Sequence, residues 1–246
     1  MEVKSGQAEA DVLNEVEVIK LQSMKSAIQR KSPSIKEFND PTLLRFLKAR
    51  EMNSEKAATM FLNYLNWRKS MFPNGAISED QIRNEISQNK LFMQGVDKMN
   101  RPIVIAFASK HKPYKGSLEE FKRFVAFALE RIASRAANKD GKFCAIADVA
   151  DWGYSCSDVR GYLAALSILQ DCFPERLGKL FMVHVPYMFM TAWKLINPLI
   201  DPQTKKKIVF VDNQNLRSTL HADIEDDQLP HIYGGNLALV PIHHAN

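Results

Sequence analysis

Hydrophobic positions follow one period over roughly the first ninety residues of the chain and another period after them. Between Asp11 and Lys31 there is no proline or glycine, and Leu13, Val16, Ile19 or Lys20, Ser23 or Met24, and Ala27 or Ile28 recur at helical spacing. The break SPSIKEFNDP follows. Asp40 is then expected as an N-cap with Pro41 at the first helical position, opening TLLRFLKAR, in which Leu43, Leu44, Phe46 and Leu47 turn inward and Arg45 and Lys48 share the other side. Ser54 is expected to cap a third helix with Ala57, Ala58, Phe61, Leu62, Leu65 and either Tyr64 or Trp67 as its apolar stripe. These spacings predict a small bundle of short antiparallel helices over 11–88, after a flexible stretch at 1–10.

From Leu91 the pattern becomes that of strands. LFMQGV and IVIAF are rich in β-branched and apolar residues and can pair through the loop from Asp97 to Pro102. A helix over 117–139, a strand at 143–149, a helix over 158–170 and strands at 179–185 and 207–211 complete the series. The last three strands are apolar on both faces and are separated by helix-length crossovers, which demands a mostly parallel sheet. The predicted fold class is therefore α/β, a mixed, mostly parallel sheet with an N-terminal helical bundle. A sheet domain is expected over 89–240, with an apolar segment that folds back on the core and a tail at 241–246.

The segment between Pro186 and Pro198 is unusual, because Lys194 is its only charge. On a helix turning about 100° per residue, Met188, Ala192, Leu195, Ile196, Leu199, Phe189, Trp193 and Ile200 fan across one broad arc. Thr191, Lys194 and Asn197 lie opposite, and Met190 intrudes among them. Periodicity alone fits a core-facing crossover helix. The flanking prolines, the adaptable methionines and the basic run Lys205, Lys206 and Lys207 instead suit a movable apolar cover beside an anion site.

Composition narrows the setting. The formal charge of +5 favours anionic surfaces without choosing between nucleic acid and phospholipid. Nucleic acid is not expected: neither basic cluster, Arg45, Lys48, Arg50 and Lys56 or Lys205 to Lys207, is interleaved with aromatics, and the acidic stretch from Asp223 to Asp227 opposes them. No run of eighteen apolar residues and no secretory leader is present, so a cytoplasmic protein is expected. Cys144, Cys156 and Cys172 lie far apart without a CxxC pair and are expected to be packing residues, with no metal site. Phosphate-loop, dinucleotide, nucleophile-elbow and zincin motifs are missing. Asp148 and Asp151, at a strand end, are expected to build a turn, His184 to be a core histidine, and His243 and His244 to lie in a solvated tail.

Four pieces then occur in a fixed order: DPTLLRFLKAREMNSEKAATMFLNYLNWRKS at 40–70, NRPIVI at 100–105, PERLGKLFMVHVPYMFMTAWKLINPLIDPQTKKKI at 174–208 and LPHIYGG at 229–235. Together they resemble the CRAL-TRIO lipid-binding family, and most closely its branch typified by the yeast secretory phosphatidylinositol/phosphatidylcholine transfer protein. The resemblance implies a sheet that floors an apolar lipid pocket closed by a mobile gate helix, which falls at about 186–202. It implies no catalytic residues and no cofactor, with a phospholipid, phosphatidylinositol, as ligand. Arg50, Glu175, Thr204 and Lys207 match the family's inositol-phosphate contacts, and Met188, Phe189, Trp193, Leu195 and Ile196 become gate or lipid-chain contacts.

Two positions depart from the pattern: Glu51 stands where relatives often carry a second basic residue, and Ile232 replaces a glutamate before Tyr-Gly-Gly. Where choline-lipid-binding relatives place hydroxyls, this chain has Met93, Val104, Phe143 and Leu169, so phosphatidylcholine is expected to bind poorly. The partners expected are membrane phospholipids touched transiently by a monomer. Two alternatives stand: a carrier of a tocopherol-, retinoid- or sterol-like molecule, and a membrane-docking module for a lipid kinase or small-GTPase regulator.

Overall fold

The structure, a computed structural model, describes residues 14–35, 39–136 and 141–245. The expected flexible stretch at 1–10, Leu13, and the end of the helix expected over 117–139 lie outside them. The chain forms two compact units, one through Leu65 and one from Asn66.

The first unit is helical. Helix α1 (Glu15–Lys31) opens with a capping box in which the Asn14 side chain accepts from the Glu17 amide and Glu17 reaches back. Helices α2 (Asp40–Lys48) and α3 (Ser54–Met71) follow. Both caps fall one residue earlier than expected: Asn39 accepts from Thr42 N at 2.9 Å and Asn53 from Lys56 N at 3.0 Å. Asparagine caps as well as aspartate or serine. Ser54 is thereby released to donate to the Lys20 carbonyl at 3.0 Å. Leu21, Met24, Ala27 and Ile28 of α1 pack with Leu43, Phe46, Leu47, Ala57, Ala58 and Phe61. Val16 and Ile19, expected inward, are 59% and 66% exposed, because this cluster reaches α1 only from Leu21 onward.

The second unit continues through the short helix α4 (Arg83–Ser87) to a sheet of β1 (Leu91–Val96), β2 (Pro102–Phe107), β3 (Phe143–Asp148), β4 (Leu177–Val183) and β5 (Ile208–Phe210). The strands lie in sequence order; β1 and β2 are antiparallel and all later pairs parallel. The crossovers are α5 (Leu118–Arg135), α6 (Val159–Cys172) and α7 (Tyr187–Ile196). Each moves one strand further in the same direction. Since crossovers are right-handed, all three helices lie on one face. The other face is covered by α9 (Leu216–Asp223), which follows the short α8 (Pro202–Lys205), and by the C-terminal segment.

That segment folds back as expected, with Ile242 N donating to the Leu91 carbonyl at 3.0 Å and Pro241 bridging Phe92. His243 is accordingly half-buried, not in a solvated tail. Gly234, at φ 87°, ends the last 3₁₀ turn in the left-handed conformation that only glycine adopts freely. The three cysteines are buried and free, and burial raises the thiols of Cys144 and Cys172 to about 12.

Candidate functional site

Strand register defines the two faces. On one face a row runs Phe92, Ile105, Ile146, Phe181 and Val209, all joined to a core that includes Leu220, Ile224, Leu229 and Tyr233. On the helix-bearing face the rows are Met93, Val104, Ala145, Leu180, Ile208 and Leu91, Ala106, Ala147, Met182, Phe210. Alanines occupy the centre of these rows and long side chains the margins, so this face is a trough.

Ala145 and Ala147 belong to the middle strand of five, where burial is normally complete, yet both are only half-buried. Leu180 and Ile208 beside them, and Leu163, Leu166 and Leu169 on α6, are half-buried too. Sheet and helices therefore do not interdigitate at native packing density here, and accessible apolar space remains between them.

Helix α7 covers the β4 and β5 side. Phe189 meets Trp152 edge-on at 5.5 Å and stacks with Trp193 at 6.3 Å, and Trp193 meets Phe210 at 5.2 Å. Met190 and Ala192 pack in the same cluster with Met182, Leu180 and Ile208. The buried arc is narrower than the apolar arc of the sequence: Met188, Leu195 and Leu199 are 46%, 65% and 54% exposed. They form a second, outward apolar stripe at i, i+7 and i+11. Of the expected gate residues, Phe189 is buried, Trp193 and Ile196 are half-buried, and Met188 and Leu195 face solvent.

Both ends of α7 are anchored. Before it, His184 takes a left-handed conformation at φ 52°, and its Nδ1 lies 3.1 Å from Asp148, which also accepts from Tyr233 Oη at 2.9 Å and from the Ala150 amide at 3.0 Å. His184 is thus a partly exposed turn residue and not a core histidine, because the strand stops at Val183. Asp148 builds the expected turn; Asp151 is exposed. Burial and the Asp148 charge together push the Tyr233 phenol above its usual range. After α7, the Gln170 amide oxygen accepts from Asp201 N at 2.9 Å.

Of the four expected headgroup residues, Glu175, Thr204 and Lys207 belong to the second unit. Lys207 Nζ lies 3.2 Å from Glu175 Oε2, the two side chains 19% and 25% exposed. Glu175 is held at φ 57°, a left-handed backbone unusual for a non-glycine residue and frequent at binding sites. Thr204 sits on α8, whose N-cap Asp201 accepts from Gln203 N and Thr204 N, and the Thr204 carbonyl accepts from Lys207 N at 3.0 Å. One short turn therefore sets Thr204 and Lys207 at the start of β5. Arg50 belongs to the first unit, where its guanidinium donates to the Ala49 carbonyl at 3.0 Å, next to exposed Glu51.

Sequence reasoning missed a buried polar cluster in the second unit. Lys90 Nζ contacts Glu85, Gln88 Oε1 at 2.8 Å and His111 Nδ1 at 2.8 Å; His111 Nε2 lies 3.3 Å from Asp158, which caps α6 through the Gly161 amide. Lys90 also lies over the rings of Phe121 and Phe124. Burial shifts Glu85 up, Lys90 down and His111 down. Its members are scattered over 85–158, so spacing gave no sign of it.

Comparison with known proteins now adds to this geometry. The CRAL/TRIO domain model matches residues 86–235, and the CRAL/TRIO N-terminal domain model matches residues 20–63. The Sec14 cytosolic factor of Schizosaccharomyces pombe is 30% identical over 241 residues, covering 91% of this chain and 84% of that protein. A CRAL-TRIO domain-containing protein of Saccharomyces cerevisiae is 29% identical over 227 residues, covering 82% and 72%. Among solved structures, the crystal structure of Sfh5 superposes with a TM-score of 0.64 at 15% identity over 94% of both chains, a likeness of fold. The chain belongs to the CRAL-TRIO family, in its Sec14-like branch.

Proposed function

We propose that this protein is a carrier that takes phosphatidylinositol from a membrane, holds its acyl chains in the trough and exchanges or presents it at a membrane surface. The observation that carries the reading is the half-buried, alanine-centred floor in the middle of a five-stranded sheet. Two acyl chains contain about thirty methylenes, worth on the order of 25 kcal/mol when kept from water. A bilayer offers nearly the same burial, so the trough has only to match it, and a few headgroup contacts decide which lipid is taken.

Glu175, Thr204 and Lys207 are the proposed headgroup contacts. Lys207 supplies a cation for the phosphodiester, Glu175 accepts from inositol hydroxyls, and the Thr204 hydroxyl does either. An arriving headgroup replaces the ion pair that Lys207 and Glu175 now share. Arg50 carries the same expectation from the family. Helix α7 is the proposed gate, moving between its two anchors, with Met188 and Leu195 meeting the membrane and Phe189, Trp193 and Ile196 meeting lipid chains. No helix among the described residues is long and apolar enough to cross a membrane, which fits transient attachment of a cytoplasmic protein.

A second reading has its own observation: the two central rows of the trough hold no hydroxyl and no charge. An uncharged hydrophobe, tocopherol-, retinoid- or sterol-like, would suit such a floor. Native mass spectrometry of the purified protein separates the readings by the mass of any co-purifying lipid. Vesicle transfer of phosphatidylinositol then tests the first directly. Met188→Asp and Leu195→Asp are expected to abolish transfer without altering folding, because both side chains are exposed. Normal transfer by both variants would remove α7 as the membrane-facing element.

A further inference from the structure

Helix α7 is held against the second unit by apolar and ring contacts. Among the described residues no hydrogen bond joins a side chain of Tyr187–Ile196 to another element. Its buried ring, Phe189, meets Trp152 edge-on at 5.5 Å with the planes 87° apart. Trp152 lies in the loop after β3, directly behind Asp151 at φ 55°, and is itself buried.

The other side of Trp152 is bonded to α6. Its indole N–H donates to the Tyr162 hydroxyl at 3.1 Å, and that hydroxyl donates to the Cys156 carbonyl at 2.6 Å. Burial raises the Tyr162 phenol above its usual range, so it stays a neutral hydroxyl that accepts on one side and donates on the other. The Tyr162 amide donates to the Asp158 carbonyl at 2.9 Å, and its ring lies 6.0 Å from that of His111. Phenol and indole are therefore fixed from the α6 side, while Phe189 reaches them through rings alone. Packing asks only that Trp152 fill space; the hydrogen bond also sets the plane of the indole that Phe189 meets.

We propose that Trp152 is the seat of α7 in its closed position and that Tyr162 is the positioning residue of that seat, its hydroxyl setting how often the trough opens. The inference rests on the reading of α7 as a gate. On opening, Phe189 parts from Trp152 without breaking a directional bond, and the indole stays oriented for its return. Loss of the Tyr162 hydroxyl leaves a buried indole N–H without its acceptor, so the ring turns to find another and the seat loosens. Trp152 follows β3, whereas Glu175 and Lys207 precede β4 and β5; in parallel strands these are opposite ends of the sheet, so the seat is separate from the proposed headgroup contacts.

The test compares Tyr162→Phe, Trp152→Phe and the double variant in the full chain. Hydrogen exchange is read at the amides of α7 and α6, together with transfer of pyrene-labelled phosphatidylinositol between phosphatidylcholine vesicles. A helix of 10 residues is marginal in water once undocked, so exchange in α7 reports undocking. Tyr162→Phe is expected to raise exchange in α7 about tenfold relative to α6 and to speed transfer about threefold. Trp152→Phe should raise α7 exchange as well, and because it already lacks the indole N–H, adding Tyr162→Phe to it should change neither reading further. Raised α7 exchange with unchanged transfer supports the seat and removes α7 as the gate. Unchanged α7 exchange, an equal rise in α6, or additive effects in the double variant overturn the proposal and leave Tyr162 a packing residue.

Discussion

The two faces of one sheet use the same strands for opposite ends. On the face covered by α9 and the C-terminal segment, Ile105, Ile146 and Phe181 are fully buried and meet large partners across every strand. On the face beneath α5, α6 and α7, the residues that follow or precede them by one, Val104, Ala145 and Leu180, pass from large to small to half-exposed. Since side chains alternate along a strand, a single residue separates a close-packed core from a surface left open. The helix-bearing face is packed at its margins by Met93, Val104 and Met182, and only its floor at Ala145, Ala147 and Leu180 is left open to exchange its contents.

The largest expected contrast is in stability. Ile146→Ala removes a side chain with 0% exposure from the packed row and should cost about 3 kcal/mol. Leu180→Ala, in the open row beside it, should cost about 1 kcal/mol. Equilibrium denaturation compares them directly, and equal losses would mean that both faces are packed alike.

The next effect is on binding. Lys207→Ala removes one charge-assisted bond and should weaken phosphatidylinositol binding about thirtyfold, about 2 kcal/mol. Its side chain is partly exposed and paired to Glu175 near the surface, so the melting temperature should barely change. Vesicle transfer with thermal melting as a control reads both. Retained transfer would move the preference to an uncharged ligand.

A smaller change sharpens the shape of the trough. Ala145→Leu fills its centre and should reduce phosphatidylinositol transfer about tenfold while leaving folding intact, because the added atoms enter accessible space. A loss of stability comparable to that of Ile146→Ala would show instead that Ala145 lies in a closed layer.

The smallest expected effect concerns pH. Burial, and then the Lys90 charge, hold the His111 pKa below its ordinary 6.5. The unfolded chain therefore takes up a proton that the folded state refuses. Stability from this group is full above about pH 6.5 and is lost as pH falls towards the lower, folded value. Lys90 acts in the alkaline range. Glu85 acts nearer its own range with the opposite sign, its raised pKa making protonation favourable to the fold. Melting curves between about pH 7.5 and about pH 5.5 should fall less steeply for His111→Gln than for the wild type. Because Asp158 caps α6, the protection factor of the Gly161 amide, corrected for the intrinsic pH dependence of exchange, should fall over the same interval. Parallel slopes in the two proteins would remove His111 as the group responsible.

Much of the fold was readable from patterning. The period change near Leu91, the apolar crossover strands and the proline-flanked α7 follow from the spacing of hydrophobic residues. The caps of α2 and α3 slipped by one residue because Asn39 and Asp40, or Asn53 and Ser54, are both competent caps and only backbone geometry chooses between them. The exposure of Val16 and Ile19 could not be foreseen, since it depends on where the neighbouring helices end. For the candidate site, the motif around 174–208 marked Glu175, Thr204 and Lys207, and the structure pairs two of them. The division of α7 into an inner arc at Phe189 and Trp193 and an outer stripe at Met188 and Leu195 was not legible, because all four are apolar.

The sequence by itself determined which segments become helix or strand, that the later strands run parallel, and which family the chain joins; these rest on periodicity and local order along the chain. Only the tertiary structure decided that Ala145 and Ala147 line an open trough and that Lys90, His111 and Asp158 share one buried cluster. The physical reason is that exposure and charge pairing are set by what other elements bring to a side chain. That information is distributed over residues far apart in the chain and is fixed only when register and crossover handedness place them together.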